Sequence, residues 1–144
     1  MESVKWFRKA VMQGYDEAQL RLGNRYDAGL GVGEDQQMAF FWYRKAAEQG
    51  NAIAQLNVGY AYENGDGVDQ DMKTALDWYR KSADHEDGFV GAYVLGECYE
   101  RGKGVEKNLK EALHWYRKAA SKSYDTADAK EAIRRLKSLD PSVL

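Results

Sequence analysis

One cysteine and one proline are all that this chain contains of either residue. With Cys98 alone, no internal disulfide can form, so packing has to hold the fold. Pro141 lies beyond the last helical pattern, so nothing forces a kink in the body. No stretch approaches the roughly 18 apolar residues of a membrane-spanning helix. The opening Met1-Glu2-Ser3-Val4-Lys5-Trp6 lacks the apolar run of a secretory signal. The expected location is the cytoplasm, although a piece of a secreted or periplasmic protein would read the same way. Neither sign of charge is in clear excess: 21 basic against 23 acidic residues leaves a net charge of -2. That speaks against a nucleic-acid binder, which usually carries a basic surplus.

A catalytic constellation is also missing. His85 and His114 stand far apart, with no partner at metal-ligand spacing. Cys98 sits beside Gly96 and Tyr99 on a packing face and reads as a buried structural thiol, not a nucleophile. Gly-x-Gly occurs between helical segments, with no strand before it and no Lys-Ser/Thr after it, so it cradles no phosphate. The sequence therefore predicts no enzyme, no metal site and no cofactor.

What is present is repetition. Trp6-Phe7-Arg8-Lys9-Ala10 returns as Trp42-Tyr43-Arg44-Lys45-Ala46, as Trp78-Tyr79-Arg80-Lys81-Ser82 and as Trp115-Tyr116-Arg117-Lys118-Ala119. The tryptophans are 36, 36 and 37 residues apart. A fixed period in this range marks a stacked-repeat architecture whose core is a strip and not a ball. Hydrophobic residues at 44% and aromatics at 12% can fill such a strip.

The expected organisation is one repeat array over 1–144. Residues 1–14 form a partial repeat, a second helix at 3–13 only. Three repeats follow at 16–49, 51–84 and 87–121, then a capping helix within 124–139. Asp16, Asp35, Asn51, Asp71 and Asn108 stand where helix N-caps are wanted. They open helices at 16–28, about 36–48, 52–64, 72–84 and 109–121. Glu111 is placed to complete a capping box with Asn108. A further helix is expected at about 88–101. The turns are Gly29-Leu30-Gly31-Val32, Gly65-Asp66-Gly67-Val68 and Gly102-Lys103-Gly104-Val105, each with a glycine suited to a left-handed C-cap and a valine expected to plug the core. The extra residue of the third unit falls within Asp84–Gly88. The last helix, Asp125 to Leu139, keeps the small Ala127, puts Arg135 where earlier units have tyrosine, and is charged outside as a terminal cap needs to be. Trp6 and Phe7 have no earlier helix to cover them, so a longer solenoid upstream is expected.

Small residues recur in register at Ala18, Ala54 and Gly91, and at Gly23, Gly59 and Gly96. They recur again at Ala39, Ala75 and Ala112, and at Ala46, Ser82 and Ala119. Helices approach closely only at such positions. A mid-helix glycine costs about 1 kcal/mol against alanine, so its threefold recurrence implies steric need. Tyr26, Tyr62 and Tyr99, and the three complete Trp-Tyr pairs, are expected to fill the remaining space.

On these residues the chain resembles the Sel-1-like repeat family, a branch of the tetratricopeptide-like solenoids. The shared pattern is small-x-x-x-Leu-Gly-x-x-Tyr-x-x-Gly-x-Gly-Val-x-x-Asp-x-x-x-Ala-x-x-Trp-Tyr-x-x-Ala-Ala. It fits Ala18–Ala47, Ala54–Ala83 (with Val58 for leucine) and Gly91–Ala120 (with Asn108 for aspartate). The resemblance implies an all-α fold, a right-handed α/α superhelical solenoid of antiparallel helix pairs, about eight helices at period 36. It also implies a bacterial adaptor that gathers proteins without catalysing a reaction. Some secreted bacterial members carry a cysteine pair in each repeat and are linked to β-lactam binding. This chain has no such pairs, so that activity does not carry over.

In related solenoids the first helix of each unit lines the concave face. Read in register, the candidate binding positions are Glu17, Ile53 and Val90; Leu20, Leu56 and Tyr93; Asn24, Tyr60 and Glu97; and Asp27, Glu63 and Glu100. The expected groove has an apolar-aromatic floor and an acidic rim. It suits a basic or amphipathic peptide or partner protein, bound by a monomer or weak dimer, with no nucleic acid and no membrane. The alternative is a nucleic-acid or anionic-surface binder that uses a convex basic stripe, Arg8, Arg44, Arg80 and Arg117 with Lys9, Lys45, Lys81 and Lys118.

Overall fold

The computed structural model describes residues 16–28, 35–86, 88–121 and 127–143. Those residues form seven α-helices: α1 (Asp16–Ala28), α2 (Gln36–Glu48), α3 (Ala52–Asn64), α4 (Met72–Ala83), α5 (Phe89–Arg101), α6 (Leu109–Ala119) and α7 (Ala127–Leu139). A 3-10 turn, Pro141–Val143, follows, and no strand occurs among the described residues. The helix expected at 3–13, the turn at 29–32 and the start of the last helix at Asp125 lie outside the described residues.

The caps explain the boundaries. The Asp35 carboxylate accepts the Met38 N–H at 3.1 Å, and the Asn51 amide oxygen accepts that of Ala54 at 2.9 Å. Asp71 accepts from Thr74 at 3.2 Å and Asn108 from Glu111 at 3.1 Å. Each bond satisfies one of the N–H groups that a helix start leaves orphaned. The reciprocal half of the expected capping box does not form at Asn108, because its own N–H already donates to the Tyr99 carbonyl at 2.9 Å. The same bond recurs from Asp35 to Tyr26 at 2.9 Å and from Asp71 to Tyr62 at 2.8 Å. After Tyr62 and after Tyr99 it closes the glycine-rich turn from cap to tyrosine. Gly65 and Gly102 end their helices in the left-handed region, at φ 75° and 72°.

The extra residue sits where the spacing placed it. Helix α3 begins ten residues after Trp42 (52 − 42) and α5 eleven after Trp78 (89 − 78). Gly88 takes the N-cap position of α5 without a side-chain bond. A Cβ there would overlap the Ser82 carbonyl, which excludes the capping side chains used elsewhere.

The chain divides into two compact units, Met1–Trp78 and Tyr79–Leu144, with the division inside α4. In the first, α1 packs on α2 and α2 on α3. Its core gathers Ala18, Leu22, Tyr26, Ala39, Tyr43, Ala46, Val58 and Trp78. In the second, α5 packs on α6 and α6 on α7. Its core gathers Ala112, Leu113, Tyr116, Ala132 and Leu136. Burying a residue such as Tyr116 is worth about 2–3 kcal/mol.

The repeated glycines have a direct steric cause. A Cβ on Gly23 would stand 2.7 Å from Cδ1 of Tyr43, and one on Gly96 would stand 2.7 Å from Cδ1 of Tyr116. The ring occupies the place of the missing side chain. The aromatic expectation needs one correction. Tyr43, Tyr79 and Tyr116 are core, and so is Trp78, but Trp42 and Trp115 are only half-buried. Their indole N–H groups are shielded and find no hydrogen-bond acceptor among the described residues. Tyr62 and Tyr99 are also half-buried, with their hydroxyls meeting arginines of the preceding second helix: Arg44 at 3.4 Å and Arg80 at 2.6 Å.

Candidate functional site

The first-helix positions do not share one fate. Ile53 and Val90 are 60% exposed, unusual for β-branched aliphatics. Glu17 is exposed and accepts a hydrogen bond from the Asn51 amide at 2.9 Å. Leu20 and Leu56, expected on the groove floor, are instead buried, at 5% and 8% exposure. Each lies three residues before a buried glycine, Gly23 or Gly59, and so shares that glycine's packing face. Tyr93, in the same row, is half-buried with its ring 5.4 Å from that of Tyr116. Burial, then the nearby Glu97 carboxylate, pushes its phenol upward.

In the third row, Asn24 is exposed and accepts the Tyr43 hydroxyl at 2.7 Å. Tyr60 is partly open, and Glu97 is half-buried beside Arg101 at 3.4 Å. The last row was expected to be an acidic rim. Asp27 belongs to α1, but its side chain lies outside the described residues. Glu63 is half-buried. Glu100 is committed inward, with only 15% of its side chain accessible. It accepts the Tyr116 hydroxyl at 2.6 Å and the Arg135 guanidinium at 2.6 and 3.0 Å. Burial pushes the Glu100 carboxyl upward, but the hydrogen bonds from Arg135 and Tyr116 outweigh it and hold the group below its ordinary range. Burial, and then Glu100, drive the Tyr116 phenol strongly upward. The rim is thus internal bracing at Glu100.

The exposed stripe follows i, i+4, i+7 spacing. It is Glu17, Arg21 and Asn24 on α1, and Ile53, Asn57 and Tyr60 on α3, all exposed or half-buried. In the second unit, taken by itself, the positions with the same spacing on α5 are Val90, Val94 and Glu97. Asn57, not Leu56, continues the line between Ile53 and Tyr60. Sequence reasoning missed Asn57, although the helical spacing from Ile53 marked it.

Beside Tyr60 the stripe opens into a pocket of about 130 Å³. Helix α2 lines it with Gln36, Ala39, Phe40 and Tyr43, α3 with Asn57, Tyr60 and Ala61, and the turn with Asp66. The turn is seated firmly. Gly67 holds φ 75°, and a Cβ there would overlap the Gln36 carbonyl. No linear signal joins Asp66 to Gln36; only the folded turn brings them together.

The second-helix cations are partly occupied. Arg44 pairs with Glu48 at 3.0 Å and Lys45 lies 5.1 Å over the Phe41 ring. Arg80 donates to Tyr99, and Lys118 donates to the Ala83 carbonyl and lies 5.8 Å from the Trp115 ring centre. Arg8 and Lys9 lie outside the described residues. The alternative of a nucleic-acid surface gains no support from this arrangement. Among the described residues, no group of three or more His, Cys, Asp or Glu could hold a metal ion, and no helix is long and apolar enough to cross a membrane. Cys98 is buried.

Comparison with known proteins matches the repeat grammar. The Sel1 repeat pattern matches residues 1–15, 16–51, 52–87 and 90–124. A Sel1 repeat protein from Oxalobacter formigenes superposes with a TM-score of 0.87 at 34% identity, over 96% of this chain and 55% of its own. The protein c5321, a protective antigen of uropathogenic Escherichia coli with an SLR fold, gives 0.78 at 42% identity, over 82% of this chain and 25% of its own. The cysteine-rich protein B of Helicobacter pylori gives 0.65 at 30% identity, over 87% and 95%. The chain therefore spans about a quarter of the antigen and about half of the Oxalobacter protein. No curated protein matches it by sequence. Sel1 repeat proteins are in general non-enzymatic scaffolds for protein–protein interaction. With four repeat matches and the helical-solenoid neighbours, the chain belongs to the Sel1 repeat family.

Proposed function

We propose that this chain is a protein-interaction adaptor that holds a peptide or partner protein against the first-helix stripe. The observation that carries this reading is the α3 stripe. Ile53, at 60% exposure, Asn57 and Tyr60 form an amphipathic line that runs into the pocket beside Asp66. Ile53 places exposed apolar surface in one row with the ring of Tyr60, and aromatic anchors next to pockets are where interface energy concentrates. Glu17 and Asp66 favour a basic or amphipathic occupant.

Selection of peptides from a random displayed library against the purified chain tests the proposal. Enrichment should fall at least tenfold on Ile53→Asp and on Tyr60→Ala, both open positions whose replacement leaves the core intact. Peptides retained equally by the parent chain and both variants would place the binding elsewhere.

A further inference from the structure

The pocket between α2 and α3 is too small for an independent metabolite. At about 130 Å³ it falls well short of the roughly 300–1,000 Å³ of small-molecule sites. It has the size for one side chain of a longer ligand. Its chemistry is one-sided. The lining offers the Asp66 carboxylate, the amide groups of Gln36 and Asn57, and the aromatic side chains of Phe40 and Tyr60, with no basic residue among them. An anion would meet Asp66 directly.

The start of α2, at Gln36, contributes about half a positive charge from the helix dipole. The Asp35 carboxylate, which accepts the Met38 N–H at that helix start, offsets it, and Asp66 is the one formal charge in the pocket lining. The occupant is therefore a cation. A planar, many-donor cation fits better than a compact one. The guanidinium spreads five N–H donors in a plane, pairs with carboxylates in a bidentate manner, and stacks on aromatic faces. An ammonium offers a single point charge and no face to stack.

We propose that this pocket receives one arginine side chain of the segment bound along the α3 stripe. The assignment rests on the adaptor reading above and gives it a specificity-determining residue, Asp66. Asp66 stands exposed in its turn, so replacing it spares the cores.

The test is an amide NMR titration of the whole chain with N-acetyl-arginine amide, with N-acetyl-citrulline amide as the neutral isostere. Binding of a lone residue is expected on the order of millimolar. Shifts should centre on the amides of Gln36, Phe40, Asn57, Tyr60 and Asp66. Asp66→Asn should weaken them about tenfold, as loss of one charge-assisted hydrogen bond does. No shift at those amides, or equal shifts with citrulline, overturns the assignment. N-acetyl-lysine amide binding as tightly overturns the choice of guanidinium. The two readings separate cleanly. Peptides selected in an Ile53-dependent way while the arginine amide fails would remove only the pocket assignment. An arginine amide that binds while no peptide is selected would remove only the stripe.

Discussion

Gly23 with Tyr43 and Gly96 with Tyr116 are the same steric device in two places. In both, the ring fills the space a Cβ would need, at the same 2.7 Å. The hydroxyls end differently. Tyr43 donates to the neutral and exposed Asn24 at 2.7 Å, while Tyr116 donates to the shielded Glu100, itself held by Arg135 from α7. The repeat thus dictates shape and leaves the polar partner open to change. In the second unit that freedom has been used to tie the last helix down with charge.

The largest expected effect tests the shared part. Gly23→Leu and Gly96→Leu should each cost about 3 kcal/mol or more, because a leucine has no room beside a ring packed on every side. Urea unfolding followed by circular dichroism reads this. A variant that kept the parent midpoint would show that the two slots are not equivalent.

The next effect tests the difference. Tyr116→Phe strips a donor from a shielded carboxylate and should cost about 1.5–3 kcal/mol, against about 0.5–1.5 kcal/mol for Tyr43→Phe. Equal losses would mean that the charge on Glu100 adds nothing.

Acid should then expose the same contrast. Glu100 is held below its ordinary value of 4.5, so its contribution is complete above that pH and is lost as pH falls through the lower, folded-state value. The stability gap between the parent chain and Glu100→Gln should therefore close below pH 4.5. The gap between the parent and Tyr43→Phe should not depend on pH there, because Asn24 does not titrate. A Glu100→Gln gap that stays constant down to pH 3 would remove the ion pair from the account.

Smallest of all, Arg44→Ala should cost no more than about 0.5 kcal/mol. Its pair with Glu48 is exposed on both sides, at 47% and 57%, and water screens it. A loss above 1 kcal/mol in the same urea assay would show that the bond to Tyr62 counts for more than its 3.4 Å suggests.

Much of this fold was legible because its signals are local. Asn51 before an apolar run, Gly65 after it and a small residue every turn each act within a few positions, and the helices begin and end within two residues of the places they mark. Reading one face of a helix was harder. Leu56 and Asn57 are neighbours that point 100° apart, and the choice of Leu56 for the open row placed a core residue on the surface. Glu100 was misleading for another reason. Its partner Arg135 is 35 residues away and joins it only because a tyrosine position has become an arginine. The pocket was the least legible feature, since Asp66 and Gln36 meet through a turn whose path no linear pattern states.

The clasp between each cap and tyrosine carries a consequence for how the molecule can be lengthened. Tyr26 to Asp35, Tyr62 to Asp71 and Tyr99 to Asn108 each span nine residues, and each is shut by a backbone bond of 2.8–2.9 Å. A residue added inside that span would open the bond. The interval from one clasp to the next is not so fixed, being 27 residues from Asp35 to Tyr62 and 28 from Asp71 to Tyr99. The clasp is therefore the invariant joint of the array, and the linker before each first helix is its adjustable one. Splicing in an additional unit at Gly50 or Gly88 keeps every joint whole, whereas a cut at Asp66 would sever one.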